Sequence, residues 1–324
     1  MQSNCHVMHG VDCDSTALRH WAANTGGSAV CVEIKPEDAE SLPWPEATSR
    51  SHVHLSPPCT LLSKARVGTT DEERNDGADE LRWCVEEVVR RGYESFTVEN
   101  VSTPLTSRVA SDMKAKHPDR VDFLSLNAAE YGTPSDRIRL IITSPAIVKR
   151  LKEMPVRRIS VRLAFEAAGM DLPASHIKNN TRSRDGSPCV RSVEECSQTI
   201  VGTHPLTWCN RDGDTVRCLN VRESAVLMGF SADWQLPKGQ RVGMLAVGNA
   251  IPPPLARCLM EAARAAATLP EGDVTPPPRA ILEVSSQEDE AQSLGEESED
   301  DMDVVAKPRA VSLPTGQKKR QKRS

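Results

Sequence analysis

Residues 52–63 read HVHLSPPCTLLS, a short apolar run that ends in a Pro-Pro-Cys turn. The run has the look of a buried strand, and a proline pair ends a strand, so Cys59 is expected at the carboxyl end of a sheet. Ligands of open α/β sheets bind at that edge. A lone Pro-Pro-Cys carries little weight, because a free cysteine commonly acts as a small buried hydrophobe. Its meaning depends on the strands that come after it in the chain.

Some forty residues on, SFTVENV (95–101) is a second strand, ending in a carboxylate and an amide, Glu99 and Asn100. LNAAEYGTPSDRIRLIITS (126–144) then gives a turn and a third strand, where Arg137 and Arg139 are two apart and so expected on one side. A thiol, a carboxylic acid and two guanidinium groups converge on one edge in this reading. Further apolar runs such as SAVCVEI (28–34) alternate with helical patterns such as ELRWCVEEVVRRG (80–92) and ESAVLMGF (223–230). Strands each followed by a helix predict an α/β fold with a doubly wound, mostly parallel sheet.

The 324 residues are 38% hydrophobic, enough for a sizeable core. No run approaches the roughly 18 to 20 apolar residues of a membrane span, and MQSNCHVMHG lacks the pattern of a signal peptide, so an intracellular protein is expected. Ten cysteines without a CxxC pair argue against a disulfide framework or a zinc ribbon. The spacings of Cys189, Cys196, Cys209 and Cys218 are unlike those of common zinc sites, and no metal is expected.

The net charge of −5 hides an asymmetry. Residues 283–303 carry ten acids and no base, and residues 304–324 seven bases and no acid, while residues 1–282 are close to neutral. The Pro-rich, then acidic, then basic text from 270 to 324 cannot bury enough apolar surface to order itself and is predicted to be disordered. Its QKKRQKRS end reads as a nuclear address in a eukaryotic cell. Between 145 and 191 there are ten Lys or Arg against four Asp or Glu, a candidate phosphate-contacting surface in which Lys178, Asn180, Arg182 and Arg184 are the candidate contacts.

The motifs, in their order, resemble those of the cytosine-5 DNA methyltransferase family. SPPCTLLS (56–63) resembles its nucleophile loop, VENV (98–101) its glutamate motif and YGTPSDRIR (131–139) its paired-arginine motif. RCLNVRESAVLMGF (217–230) with the following DW, and VGNAIPPPLA (247–256), are similar to its later segments. The resemblance implies a class I, Rossmann-like methyltransferase fold that uses S-adenosyl-L-methionine and acts on a flipped-out cytosine in DNA, with RNA possible as substrate. It implies Cys59 as the nucleophile that attacks C6 and Glu99 as the acid that binds the base at N3 and the exocyclic amine. Arg139, with Arg137 beside it, is implied to hold the base carbonyl or the neighbouring phosphate. Around the cofactor it implies Gly10, Asp12, Glu33, Pro58 and Asn249.

The chain departs from the family in places. VMHGVDCDSTALRHW (7–21) stands where the family has a glycine-rich loop; it keeps Gly10 and offers Asp12 and Cys13 for the other glycines. About 25 residues separate Glu33 from Cys59, too few for the usual third strand, which is expected to be shortened or replaced by ESLPWPEATS (40–49). Glutamines of the family are Thr60 and Ser135 here. The expected organisation is a cofactor-binding and catalytic domain (1–144), a target-recognition region (145–215), a return segment completing the catalytic domain (216–269) and the tail (270–324), in a monomer. A catalytically silent relative that binds nucleic acid or a partner is the alternative, favoured by the altered glycine loop.

Overall fold

The computed structural model describes residues 9–63, 68–182 and 188–267, with the side chains of 180–182 and 188 left aside. All of them belong to one compact unit, residues 1–278. The tail predicted to be disordered lies outside the described residues.

Strand β1 (His9–Asp12), helix α1 (Ser15–Thr25) and strand β2 (Ser28–Cys31) form a parallel βαβ ribbon, in which Asp12 pairs with Cys31. Asp14 caps α1 by accepting from the backbone N–H groups of Thr16 and Ala17, and Gly26 closes the helix at φ +71°. A 3-10 turn, Pro36–Ser41, stands where a third strand would run. It is held to the far side of the molecule: Trp44 stacks under the Arg91 guanidinium at 4.6 Å, Arg91 donates to the Ala39 carbonyl at 3.0 Å, and the Tyr93 hydroxyl donates to the Pro45 carbonyl.

The central sheet comprises β3 (His52–Leu55), β4 (Ser95–Val101), β5 (Asp122–Asn127) and β6 (Ile138–Thr143), in the order β3-β4-β6-β5. Helix α2 (Asp71–Arg90) precedes β4 and α3 (Pro104–Lys116) precedes β5. A Thr70–Glu73 capping box starts α2, and Leu81, Cys84, Val85 and Val88, at helical spacing, line its buried face. They pack with Val53, Phe96, Val98, Leu140 and Ile142 on one face of the sheet. On the other face Leu126 and Ile141 meet α4 (Pro145–Glu153) and α8 (Pro253–Ala266).

The expectation of a mostly parallel sheet needs one amendment: β3, β4 and β5 run the same way, and β6 does not. β3 and β4 are parallel, but β6 runs antiparallel to both β4 and β5. Residues 128–137 join β5 to β6 through a short 3-10 turn and Gly132 at φ +88°, with no crossover helix, and such a connection returns the chain antiparallel. Nor is β3 buried on both sides: only Val53 is enclosed, and the alternation leaves His52 and His54 on a polar face.

The stretch expected to be the target-recognition region forms its own layer. After α5 (Val161–Ala167), strands β7 (His176–Arg182), β8 (Pro188–Ser192), β9 (Thr207–Cys209) and β10 (Thr215–Cys218) make an antiparallel sheet ordered β10-β9-β7-β8. Its core contains fully buried Trp208, edge-on to Phe165 at 5.3 Å, and also residues of α6 (Val221–Met228) and α7 (Gln240–Asn249). The segment after 216 therefore shares this second core through α6 and α7, and α8 packs with α4 beneath the central sheet.

Candidate active site

The parallel pairing of β3 with β4 places the Ser56–Cys59 turn beside the end of β4. Asn100 donates to the Pro57 carbonyl at 3.1 Å, tying that turn to β4. Cys59 is half-buried, and the Leu62 N–H bonds to its carbonyl at 3.1 Å. Glu99, 8% exposed, is gripped at both carboxylate oxygens: the Ser56 hydroxyl donates to Oε2 at 2.8 Å, and Arg139 Nε stands 2.7 Å from Oε1. A carboxylate this enclosed needs such partners to offset its desolvation.

The two arginines part company. Arg139 is on β6 and turns to Glu99, whereas Arg137 precedes the strand, where the period-two rule no longer applies. The Arg137 guanidinium is 3% exposed and donates to the carbonyls of Ile200 at 3.0 Å, Gly248 at 2.9 Å and Ala250 at 3.2 Å. It pins the segment around Ile200 and the end of α7 to the edge that carries Glu99. Burial, then the neighbouring Arg139 charge, pushes its pKa down to about 9, with Glu99 and Cys59 pulling the other way; the four side chains thus share one electrostatic neighbourhood. Arg137 holds the site's frame, and Arg139 holds its acid.

The same frame explains a glycine. A Cβ on Gly248 would run into the backbone of Val201 and Gly202, so the close crossing of α7 over that segment requires glycine. Asn249, next to it, is exposed.

At the carboxyl end of the β1–β2 ribbon, Asp12 and Glu33 come together with Cys13. The Cys13 thiol is pushed up by loss of solvation first, then by Asp12, and also by Glu33. Glu33 is exposed and 3.1 Å from Lys35. The Asp12 carboxylate accepts the Asp14 N–H at 2.8 Å, so a pair of aspartate turns replaces the glycine-rich loop. Gly10 serves packing: a Cβ there would lie 2.7 Å from the Trp21 ring. Pro58 is exposed on the Ser56–Cys59 turn, ahead of Cys59.

Of the candidate nucleic-acid contacts, Lys178 sits on β7 and donates to the Gly213 carbonyl at 2.6 Å. Asn180 and Arg182 belong to β7 by backbone, and Arg184 lies outside the described residues. Ser56 is the residue that sequence reasoning missed at this site; its place after His52 and His54, at strand period, was the available signal.

A family model described as C-5 cytosine-specific DNA methylase matches residues 166–264, the stretch from the end of α5 into α8. Cys59, Glu99 and Arg139 precede that stretch. No curated protein matches the chain. Among solved structures, a putative DNA modification methyltransferase encoded within an E. coli prophage is similar over 80% of this chain and 92% of its own, with a TM-score of 0.53 and 16% identity. The Dnmt2 methyltransferase of S. pombe is similar over 79% of this chain and 90% of its own, with a TM-score of 0.48 and 14% identity. The first of these likenesses shows a shared fold.

Proposed function

We propose that the chain is a member of the C-5 cytosine-specific DNA methylase family, whose model matches residues 166–264, and that it methylates C5 of a flipped-out cytosine in DNA through a covalent Cys59 adduct. The fold is then a divergent class I, Rossmann-like one. The observation that carries the reading is the doubly held Glu99 at the end of β4, beside the turn that bears Cys59.

C5 of cytosine is too poor a nucleophile to take a methyl group unaided. The Cys59 thiolate adds to C6 and turns the ring into an enamine. Glu99 takes up a proton and shares it with N3 of the base, which neutralises the negative charge that the addition creates. Arg139, released in part from Glu99, holds the base carbonyl, while Arg137 keeps the edge in shape. Loss of the C5 proton lets the Cys59 sulfur leave.

S-adenosyl-L-methionine supplies the methyl group on a positively charged sulfur. Asp12 and Glu33 fit such a ligand: two carboxylates at the end of a parallel ribbon suit ribose hydroxyls and a cationic centre. Pro58 and Asn249 line the same cleft in this reading. Gly10 packs on Trp21, and its part is indirect. Lys178, Asn180, Arg182 and Arg184 are the proposed contacts of the recognition sheet with phosphates or base edges. A monomer suffices for all of this, and the basic end of the chain serves nuclear entry if the host cell has a nucleus.

The silent reading draws on one observation, the use of the first N–H groups of α1 by Asp14, where the family has open glycine backbone. Transfer of labelled methyl from S-adenosyl-L-methionine to duplex DNA, run beside tRNA, separates the readings. Incorporation into DNA that disappears in Cys59→Ala is expected. Binding of DNA with no incorporation into either nucleic acid would favour the silent protein.

A further inference from the structure

Asp136 stands between Ser135 and Arg137, and its carboxylate is held from two sides. Asn127, the last residue of β5, donates from Nδ2 to Oδ1 at 2.7 Å, and Arg191 of β8 donates from Nη1 to Oδ2. The backbone is held as well. The Asp136 N–H donates to the Ser197 carbonyl at 2.9 Å, and the Thr199 hydroxyl donates to the Asp136 carbonyl at 2.6 Å. Arg191 Nη1 also lies 3.2 Å from the carbonyls of Cys196 and Ser197. One residue thus ties together the central sheet, the segment 196–199 and β8.

The Asn127 amide passes this hold on to the arginines. Its Oδ1 accepts the backbone N–H groups of Arg137 and Ala129, each at 3.1 Å. Its Nδ2 must then face an acceptor, which Asp136 supplies. In the β5–β6 register Asn127 pairs with Ile138, and Leu126 with Arg139. The place of Asn127 therefore fixes where β6 begins, and with it the point from which Arg139 reaches Glu99.

Hydrogen counting requires a carboxylate at position 136. Two donors meet its two oxygens, whereas an amide has one oxygen and would turn its own N–H groups against Asn127 or Arg191. Burial works to raise the Asp136 pKa, and the bonds from Asn127 and Arg191 outweigh it, holding the group below the usual carboxylate range. Arg158 stands 4.0 Å from Oδ1 and is drawn aside to Glu130 at 3.2 Å. The side chains of Asp136 and Arg191 are 27% and 35% exposed, on the wall of an open groove of about 700 Å³. Cutting their link therefore leaves no cavity in a core.

We propose that Asp136 is a positioning residue for the paired arginines and that Arg191 holds it in place, so that the sheet carrying β8 must be seated on this turn before Arg139 and Glu99 take their working places. Neither residue touches the base. Each acts through the start of β6, where a shift of about 1 Å can cost up to a hundredfold in rate although it arises away from the reacting atoms. The inference rests on the methyltransferase reading above.

The test is a double-mutant cycle on methyl transfer to duplex DNA by the full chain. Arg191→Ala and Asp136→Asn each lower kcat about tenfold, while KM for DNA and for S-adenosyl-L-methionine changes less than about threefold. The double variant is no slower than Asp136→Asn alone, because both changes cut one link. Arg191→Lys keeps the charge and returns kcat to within about threefold of the wild type. A role confined to holding the fold lowers the melting temperature and leaves kcat of the folded protein alone. Wild-type kcat in folded Asp136→Asn, losses that multiply in the double variant, or Arg191→Lys as slow as Arg191→Ala overturns the proposal. So does a loss confined to KM for DNA, the mark of a direct phosphate contact by Arg191. If Asp136→Asn does not fold, the two Arg191 variants decide alone. A wild type inactive on DNA and RNA overturns the methyltransferase reading and this inference with it.

Discussion

Arg139 Nε stands 2.7 Å from Glu99 Oε1, and both side chains are about 90% enclosed. The pair joins β6 to β4 at the edge where Cys59 sits. Removing Arg139 leaves a buried charge held by Ser56 alone, a loss of roughly 3 kcal/mol or more. Arg139→Ala is therefore expected to lower both melting temperature and kcat, whereas Ser56→Ala costs about 1 kcal/mol and a smaller loss of kcat. Equal effects of the two changes on melting would contradict this ranking.

His52 gives a pH prediction for stability. Its folded-state pKa, about 3, is below the ordinary imidazole value, so between pH 6.5 and 3 the unfolded chain binds a proton that the folded chain refuses. Stability from this group is present above pH 6.5 and is lost as pH falls through that window. The melting temperature of the wild type should drop on acidification more steeply than that of His52→Asn, by up to a few kcal/mol in stability. Parallel curves for the two proteins would show that His52 titrates normally.

Gly248→Ala tests the frame instead of the chemistry. The new methyl would meet the backbone of Val201 and Gly202, which cannot swing aside like a side chain, and about 2–3 kcal/mol of stability should be lost. Gly26→Ala, where a Cβ meets nothing within 4 Å and only the left-handed φ is strained, should cost about 1 kcal/mol. Denaturant midpoints of the two variants give the comparison.

For nucleic-acid binding, Lys178 already bonds to the Gly213 carbonyl, so its loss should disturb the recognition sheet as much as any phosphate contact. Arg182→Ala with Arg184→Ala should lower the log–log salt slope by about 0.9 for each phosphate contact removed from duplex DNA. An unchanged slope would place the basic segment away from the phosphates.

How far the sequence reveals this depends on the range of the interactions. The Pro-Pro-Cys turn, the Glu99-bearing strand and the helices around them are local, and Pro57-Pro58, the SFTV run that opens β4 and the Thr70–Glu73 box announce them. The direction of β6 is not local: it is set by how a connection without a helix closes, and an apolar run reads alike in either direction. Arg137 and Arg139 look equivalent two residues apart, yet the strand begins between them, and the partners that claim Arg137 come from residues 200, 248 and 250. Gly10 reads as a remnant of a ligand loop because the Trp21 ring that needs it is supplied by the next helix.

The central claim is that Cys59 bonds covalently to the base. Duplex DNA with 5-fluorocytosine at its target sites cannot lose the C5 substituent after methyl transfer, so the adduct cannot break down. Incubated with S-adenosyl-L-methionine, the wild-type chain is expected to shift to a denaturation-resistant protein–DNA band, with the mass of the DNA on the peptide containing Cys59. Cys59→Ala should show none. A wild-type protein that transfers methyl groups to this DNA without forming the adduct, or an adduct that persists in Cys59→Ala, would contradict the account.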